Sequence, residues 1–441
     1  MTTLAQRFSL TCDPPALRVT VRRVGMTDPF ALFAQRRARD AVVWAQPAAQ
    51  RALAGIGVAA AFRAEGPDRL RLADAWWRAL LATADVTAPA DAPAAPVGLG
   101  GMAFDPGRPP APHWQPFGAA WFVVPAITVI VERDDAWLVV AHPGTTSEPN
   151  ALRDHWPADP PLSGRAATTE LVADSAPWFR AAVGEAVADI ARGRFEKLVL
   201  AREVVYRRSS VFEPDAALTR LRATYPSCTI FAVARGASTF LGATPERLVR
   251  LDGREIRTMC LAGTAARGVD ADDDARRAAA LLADGKERRE HRFVVTAMRA
   301  ALAPVCDEIV IPETPTVVSL PNLHHLRTPI RGRLAGDQTI LSVVEQLHPS
   351  PAVGASPRDA AFPALRHLET FDRGWFAAPL GWLAPNGGEF VVALRSALLT
   401  GAEARLFAGC GIVAGSDPDR ELAETELKLL PMRAALGVEG A

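Results

Sequence analysis

The order of strand-like and helix-like stretches after Phe195 restricts this chain more than any other feature. Runs with strand character at 198–206, 229–234, 240–243, 247–251, 390–399 and 405–408 are interrupted irregularly by helical text near 275–302 and 420–436. A doubly wound parallel sheet needs a helix after nearly every strand, so this order predicts an α+β body with large, mostly antiparallel sheets. Upstream, 74–83 and 178–192 read as helices, and 120–140 as strands. A Pro/Ala-rich stretch sets a soft boundary between 86 and 96, and a low-complexity connection covers 144–167. At 441 residues the chain has room for two or three average domains or for one large enzyme body. No repeat with a 20–50 residue period occurs, which argues against a solenoid or a propeller.

Charge and hydropathy narrow the partners. Lys and Arg total 49 against 49 Asp and Glu, so the chain lacks the positive field on which non-specific nucleic-acid binding depends. The most apolar run, FVVPAITVIV at 122–131, is too short to span a bilayer and reads as a buried strand. The first residues lack a basic start followed by an apolar core, so a cytoplasmic protein is expected. Five scattered cysteines, Cys12, Cys228, Cys260, Cys306 and Cys410, never fall in a C-x-x-C spacing, and reduced thiols are expected.

Two helical segments repeat one device. In KERREH, Glu287 and Glu290 share a stripe with Val294, Ala297, Met298 and Ala301, and in ELAETELK, Glu421, Glu424, Thr425 and Lys428 share a face. Such pairs are commonly solvated surface charge. Turned inward, four carboxylates repel unless a cation neutralises them, and hard oxygen donors suit magnesium. Lys197 lies on one strand face with Phe195, Val199 and Ala201, which fits either an edge-strand lysine or a buried base. Two glycine segments, 261–264 and 407–411, could present backbone N–H groups to a carboxylate or be ordinary turns. No histidine spacing suggests zinc, and all histidines but His325 read as structural.

These residues also form an ordered set. FEKLVLAR from Phe195, ATPER from Ala243, LAGTAARG from Leu261, KERREH, His325-Leu326, HPSPA from His348, FDRGWF from Phe371, Arg395, FAGCGIV and ELAETELK together closely resemble the chorismate-utilising enzymes. That family includes isochorismate, salicylate, anthranilate and aminodeoxychorismate synthases. The match is dense over 180–436, and looser text such as PVGLGGMAFDP resembles the family's N-terminal half. The resemblance implies one chorismate-binding domain over 1–441, with two large antiparallel sheets packed together and flanked by helices, and it turns the 86–96 stretch into a loop. It implies magnesium held by Glu290 and Glu424, with Glu287 and Glu421 supporting. Gly263, Thr264 and Lys428 would help hold the ring carboxylate of chorismate, Arg395 and Gly409 would hold the enolpyruvyl carboxylate, and His325 would orient a substrate group. Lys197 would be the base and Glu246 the acid.

Within the family, a lysine nucleophile of aminodeoxychorismate synthases is replaced here by Ala262. The lyases that expel pyruvate place Thr where this chain has Ala352 and often Tyr where it has Phe376. Both differences resemble isochorismate synthases, which add water at C2, lose the C4 hydroxyl and stop. The resemblance therefore implies a standalone, monomeric enzyme without a glutamine amidotransferase subunit.

Overall fold

The computed structural model describes residues 13–36, 40–146, 168–320 and 323–438, so Cys12 and most of the 144–167 connection lie outside the described residues. Among the described residues the strands form two sheets, one of thirteen and one of ten. Of their pairings, that of Leu17–Val24 with Asp85–Thr87 is parallel and the others are antiparallel. Helices flank both sheets, as the α+β reading expects.

Each sheet mixes strands from both ends of the chain. The larger runs from Thr169–Asp174 through Lys197–Arg208, Glu403–Ile412, Ser396–Thr400 and Ser238–Thr244 to Ala41–Gln46, Arg51–Ile56 and Leu17–Val24. The smaller places Leu323–Leu334, Glu255–Ala266 and Arg247–Asp252 beside Gly387–Val392, and further along it Gly98–Met102 and Ala120–Val124. The Pro/Ala stretch after 86 leads from Asp85–Thr87 in the large sheet to Gly98–Met102 in the small one, and so connects strands of one two-sheet body. The sheets meet through a continuous apolar core, with Trp44 of one edge-on to Trp382 of the other at 6.2 Å.

Two runs that read as single strands are each two strands in different sheets. The 122–131 run ends one strand at Val124, turns at Pro125-Ala126 and starts another at Ile127. The 390–399 run breaks between Val392 and Ser396, where Arg395 has a left-handed backbone, φ 48°. A third crossing joins Ser238–Thr244 to Arg247–Asp252 through Pro245 and Glu246. These last two crossings lie side by side and are stitched together: Val392 N donates to Glu246 O (3.0 Å), Ala243 N to Arg395 O (3.1 Å), and Thr244 Oγ1 to Val392 O (2.6 Å). Apolar periodicity does not distinguish a strand that continues from one that changes sheet, because both halves are buried.

The 275–302 helix is likewise two, Ala271–Ala283 and Gly285–Leu302. Asp284 ends the first and caps the second, its carboxylate accepting from Lys286 N (2.7 Å) and Glu287 N (3.1 Å). Gly285–Leu302 packs on Glu255–Ala266 through His291, Val294, Met298 and Leu302. Pro418–Leu436 packs on Glu403–Ile412 from the outer face of the large sheet, burying Leu429, Met432 and Ala435. No helix among the described residues is long and apolar enough to cross a membrane.

Candidate active site

Strands of both sheets, the crossings between them and both acidic helices surround a cavity of about 140 Å³. Twelve of the fourteen residues singled out from the sequence line it: Lys197, Glu246, Gly263, Thr264, Glu290, His325, Ala352, Phe376, Arg395, Gly409, Glu424 and Lys428. Glu287 and Glu421 do not.

Lys197 begins the Lys197–Arg208 strand, and its side chain is only 7% exposed, which rules out a solvent-facing edge lysine. Val199 and Ala201, two and four residues on, line the same cavity as the strand period requires. Room for the lysine comes from Gly411 on the neighbouring strand, where a Cβ would lie 3.0 Å from Lys197 Cε. Its Nζ donates to Glu290 Oε1 at 2.7 Å. In the same manner Lys428 Nζ binds Glu424 Oε1 (2.6 Å) and Gly409 O (2.8 Å). A lysine thus stands against each of the two acidic-helix carboxylates that line the cavity.

The outer carboxylates behave differently. Burial raises the Glu287 carboxyl above its usual range and the neighbouring Glu290 adds to the shift, while Glu287 accepts from Thr264 N at 3.2 Å. Burial likewise raises Glu421, with Glu424 contributing, whereas the Lys428 ammonium lowers Glu424. Among the described residues no three His, Cys, Asp or Glu side chains converge as a ready ligand set.

Both glycine segments belong to strands and not to turns. Gly409 pairs with Ala201 inside the large sheet, where a Cβ would meet Leu200 O at 2.8 Å. Gly263 sits at a bulge opposite Leu326 and His325 with φ 81°, a conformation glycine adopts without a steric penalty. Beside it, His325 Nδ1 lies 3.1 Å from Thr264 Oγ1 and 3.3 Å from Gly263 O. A carbonyl only accepts, so this contact makes Nδ1 the protonated nitrogen and leaves Nε2 to accept. Burial lowers the His325 imidazole to about 4, and the Arg395 and Lys428 charges push the same way, so the ring is neutral near pH 7.

Glu246 hangs from the Pro245-Glu246 crossing. Burial raises its carboxyl to about 7 against the opposing pull of Lys428 and Lys197. Arg395, on the adjoining crossing, has its guanidinium pKa lowered by burial, and its Nη1 is buried with no hydrogen-bond partner. An unpaired buried guanidinium nitrogen is costly, and a carboxylate is the anion whose geometry it matches. Phe376 stacks on Phe407 at 5.4 Å, so that wall is apolar. Thr264 is the one hydroxyl-bearing side chain among the described lining residues, and it is engaged by His325.

The sequence reading missed Arg373, Leu394 and Phe407, which also line the cavity. Arg373 and Phe407 are within reach of the sequence, since they belong to FDRGWF and FAGCGIV, the motifs that supply Phe376 and Gly409. Three histidines read as structural are tied into the frame. His291 joins its helix to Ala262 O (3.0 Å) and Thr328 Oγ1 (2.7 Å), His324 bridges Ser319 and Asp274, and His348 is buried against Phe104.

Comparison with known proteins identifies the family. The family model described as "Chorismate binding enzyme" matches residues 6–437. A salicylate biosynthesis isochorismate synthase from Pseudomonas aeruginosa is 41% identical over 97% of this chain and 92% of its own length. The isochorismate synthase MenF of Bacillus subtilis is 34% identical over 95% of this chain and 93% of its own. Among solved structures, the menaquinone-specific isochorismate synthase MenF from Escherichia coli superposes with a TM-score of 0.81 at 27% identity, covering 96% of this chain and 95% of that one. With a family model spanning nearly its whole length and relatives this similar end to end, the chain belongs to the chorismate-binding enzymes.

Proposed function

We propose that the protein is an isochorismate synthase, a standalone enzyme that converts chorismate to isochorismate by adding water at ring C2 and expelling the C4 hydroxyl. The observation that carries this reading is a single cavity holding Lys197, Glu246 with its carboxyl raised to about 7, and the unpartnered Nη1 of Arg395, with Ala352 and Phe376 where a ring-facing hydroxyl could otherwise stand. The similarity to isochorismate synthases over more than nine-tenths of both chains supports it.

In this mechanism Lys197 releases Glu290 and one ammonium proton to solvent, and its neutral amine then accepts a proton from a water aimed at C2. The water oxygen bonds to C2, the two ring double bonds shift, and the C4–O bond breaks as Glu246 supplies a proton to the departing hydroxyl. One water enters and one leaves. A proton transfer of this kind is worth about 10²–10⁴ in rate. Arg395 pairs with the enolpyruvyl carboxylate, and His325, neutral, accepts a hydrogen bond through Nε2. Thr264, whose oxygen accepts from His325 Nδ1, is the one side-chain hydroxyl among the described lining residues, and none stands at Ala352 or Phe376 to hold the product for pyruvate elimination.

The donor set suits a divalent cation. Glu290 and Glu424, one from each acidic helix, bring hard oxygen donors to the same cavity although no three such side chains converge among the described residues, and Glu287 and Glu421 each carry a raised pKa to which the neighbouring carboxylate contributes. Glu290 and Glu424 would hold magnesium, with Glu287 and Glu421 outside them. When bound, it would supply the positive charge that grips the ring carboxylate.

The test is an incubation of pure protein with chorismate and magnesium, followed by chromatography. The same chorismate–isochorismate mixture should form from either compound, without stoichiometric pyruvate and without any effect of glutamine or ammonia. Salicylate or anthranilate as the main product would move the protein to the lyases.

A further inference from the structure

The Lys197–Arg208 strand is fully paired on only one side. Glu403–Ile412 accompanies it along that side, but on the other Ala355–Ser356 reaches only Lys197 and Leu198, and Thr169–Asp174 only Val204 to Arg208. The open stretch between them carries Val199 and Ala201, whose side chains form the cavity wall next to Lys197.

Two buried side chains fill this gap in place of a strand. Glu369 Oε1 accepts from Ala201 N at 2.8 Å, and Arg373 Nη2 donates to Val199 O at 2.6 Å. Arg373 Nη1 also donates to Val353 O at 2.9 Å, in the loop that carries Ala352. The two side chains are bound to each other, Arg373 Nε lying 2.8 and 3.0 Å from the Glu369 oxygens, and they are only 4% and 2% exposed. Arg373 also lies over the Phe104 ring at 4.1 Å. Along the same edge Val199 N donates to Gly354 O (2.7 Å) and Ser175 Oγ to Glu203 O (2.7 Å).

We propose that Glu369 and Arg373 are a positioning pair for catalysis: an ion pair that completes the sheet edge behind Lys197 and fixes the strand bearing it against the Ala352 loop. The proposal rests on the catalytic reading of Lys197 given above. Charge makes the pair suited to the task. A carboxylate accepts from the strand N–H and the guanidinium fork spans two carbonyls on different segments at once, which a lysine cannot do. The charged groups proposed to hold the substrate carboxylates, Arg395 and Lys428, are carried by other elements, and the Arg373 fork is spent on Val199 O, Val353 O and Glu369, so the pair sets the strand and does not itself grip the substrate.

The experiment compares Glu369→Gln and Arg373→Lys with the wild type in kcat, KM and amide hydrogen exchange at Ala201. Glu369→Gln retains an oxygen for Ala201 N while losing the charge that holds Arg373, and Arg373→Lys keeps the charge while losing the fork, so one variant covers for the other if folding fails. The expected result is a kcat about 10²-fold lower at a KM within about threefold of wild type, because a shift of about an ångström at a reacting group costs that much. Exchange at Ala201 should quicken in the same variants. A folded variant with wild-type kcat, or a KM that rises in step with the loss of rate, overturns the proposal. Lys197→Ala is run alongside: wild-type turnover there would overturn the catalytic reading itself, while Ala201 exchange, read without turnover, still reports whether the pair holds the strand.

Discussion

At the scale of single residues the proposed mechanism divides the chemistry between Glu246 and Lys197, and each makes a separable prediction. A carboxyl raised to about 7 by burial is protonated in weak acid and loses its proton above neutrality. As a general acid it must carry that proton, so kcat/KM should fall as pH rises through about 7. Glu246→Gln, which cannot transfer a proton, should lose about 10²–10⁴ in rate and with it this alkaline limb, as a pH profile of the variant would show. Lys197→Ala should lose a similar factor in kcat with KM little changed, since the base is not what holds the carboxylates. Arg395→Ala should instead raise KM by about ten- to a hundredfold, the worth of hydrogen bonds to a charged group. Steady-state kinetics on the three variants separates these roles.

At the scale of elements, the site is made where the chain changes sheet or bulges. Glu246 and Arg395 stand on adjacent crossings, and Gly263 on a bulge whose geometry a side chain would spoil. A Cβ on Gly263 would lie 3.2 Å from both Glu287 Oε2 and Leu326 Cδ1, on a backbone already at φ 81°. Gly263→Ala should therefore cost about 1–2 kcal/mol from the left-handed backbone alone, seen as a lowered Tm, and should displace Thr264 from Glu287. The two acidic helices make a second prediction. Magnesium should raise the Tm of the wild type, by about 2.7 kcal/mol of added stability at a hundred times its Kd, and should leave Glu290→Gln and Glu424→Gln unmoved. Turnover should stop in excess chelator. How far the sequence foretold these elements follows from what each signal reports. Strand periodicity placed Lys197, Val199 and Ala201 on one face, because alternation survives wherever a strand is regular. It could not see the sheet changes at 125–126 and 393–395, since buried strands in either sheet read alike, nor the break at Asp284, where a helix cap sits inside otherwise helical text. The ordered motifs identified the cavity lining, but they could not show that Lys197 and Lys428 stand against Glu290 and Glu424.

For the whole molecule, the arrangement is a wide two-sheet frame holding a small, highly charged cavity. The chain has no net charge, yet four basic side chains, Lys197, Arg373, Arg395 and Lys428, line this one cavity. Acidic partners restrain three of them, Glu290, Glu369 and Glu424, while Nη1 of Arg395 remains for the substrate. The central claim is that this cavity moves a hydroxyl by admitting one water and releasing another. Conversion of chorismate in water enriched in heavy oxygen tests it most directly, with the product examined by mass spectrometry during the first turnover. Isochorismate carrying one heavy oxygen, placed at the C2 hydroxyl, is the predicted result. Isochorismate without the label would mean an internal transfer of the original hydroxyl, and pyruvate in place of isochorismate would mean a lyase; either contradicts the account.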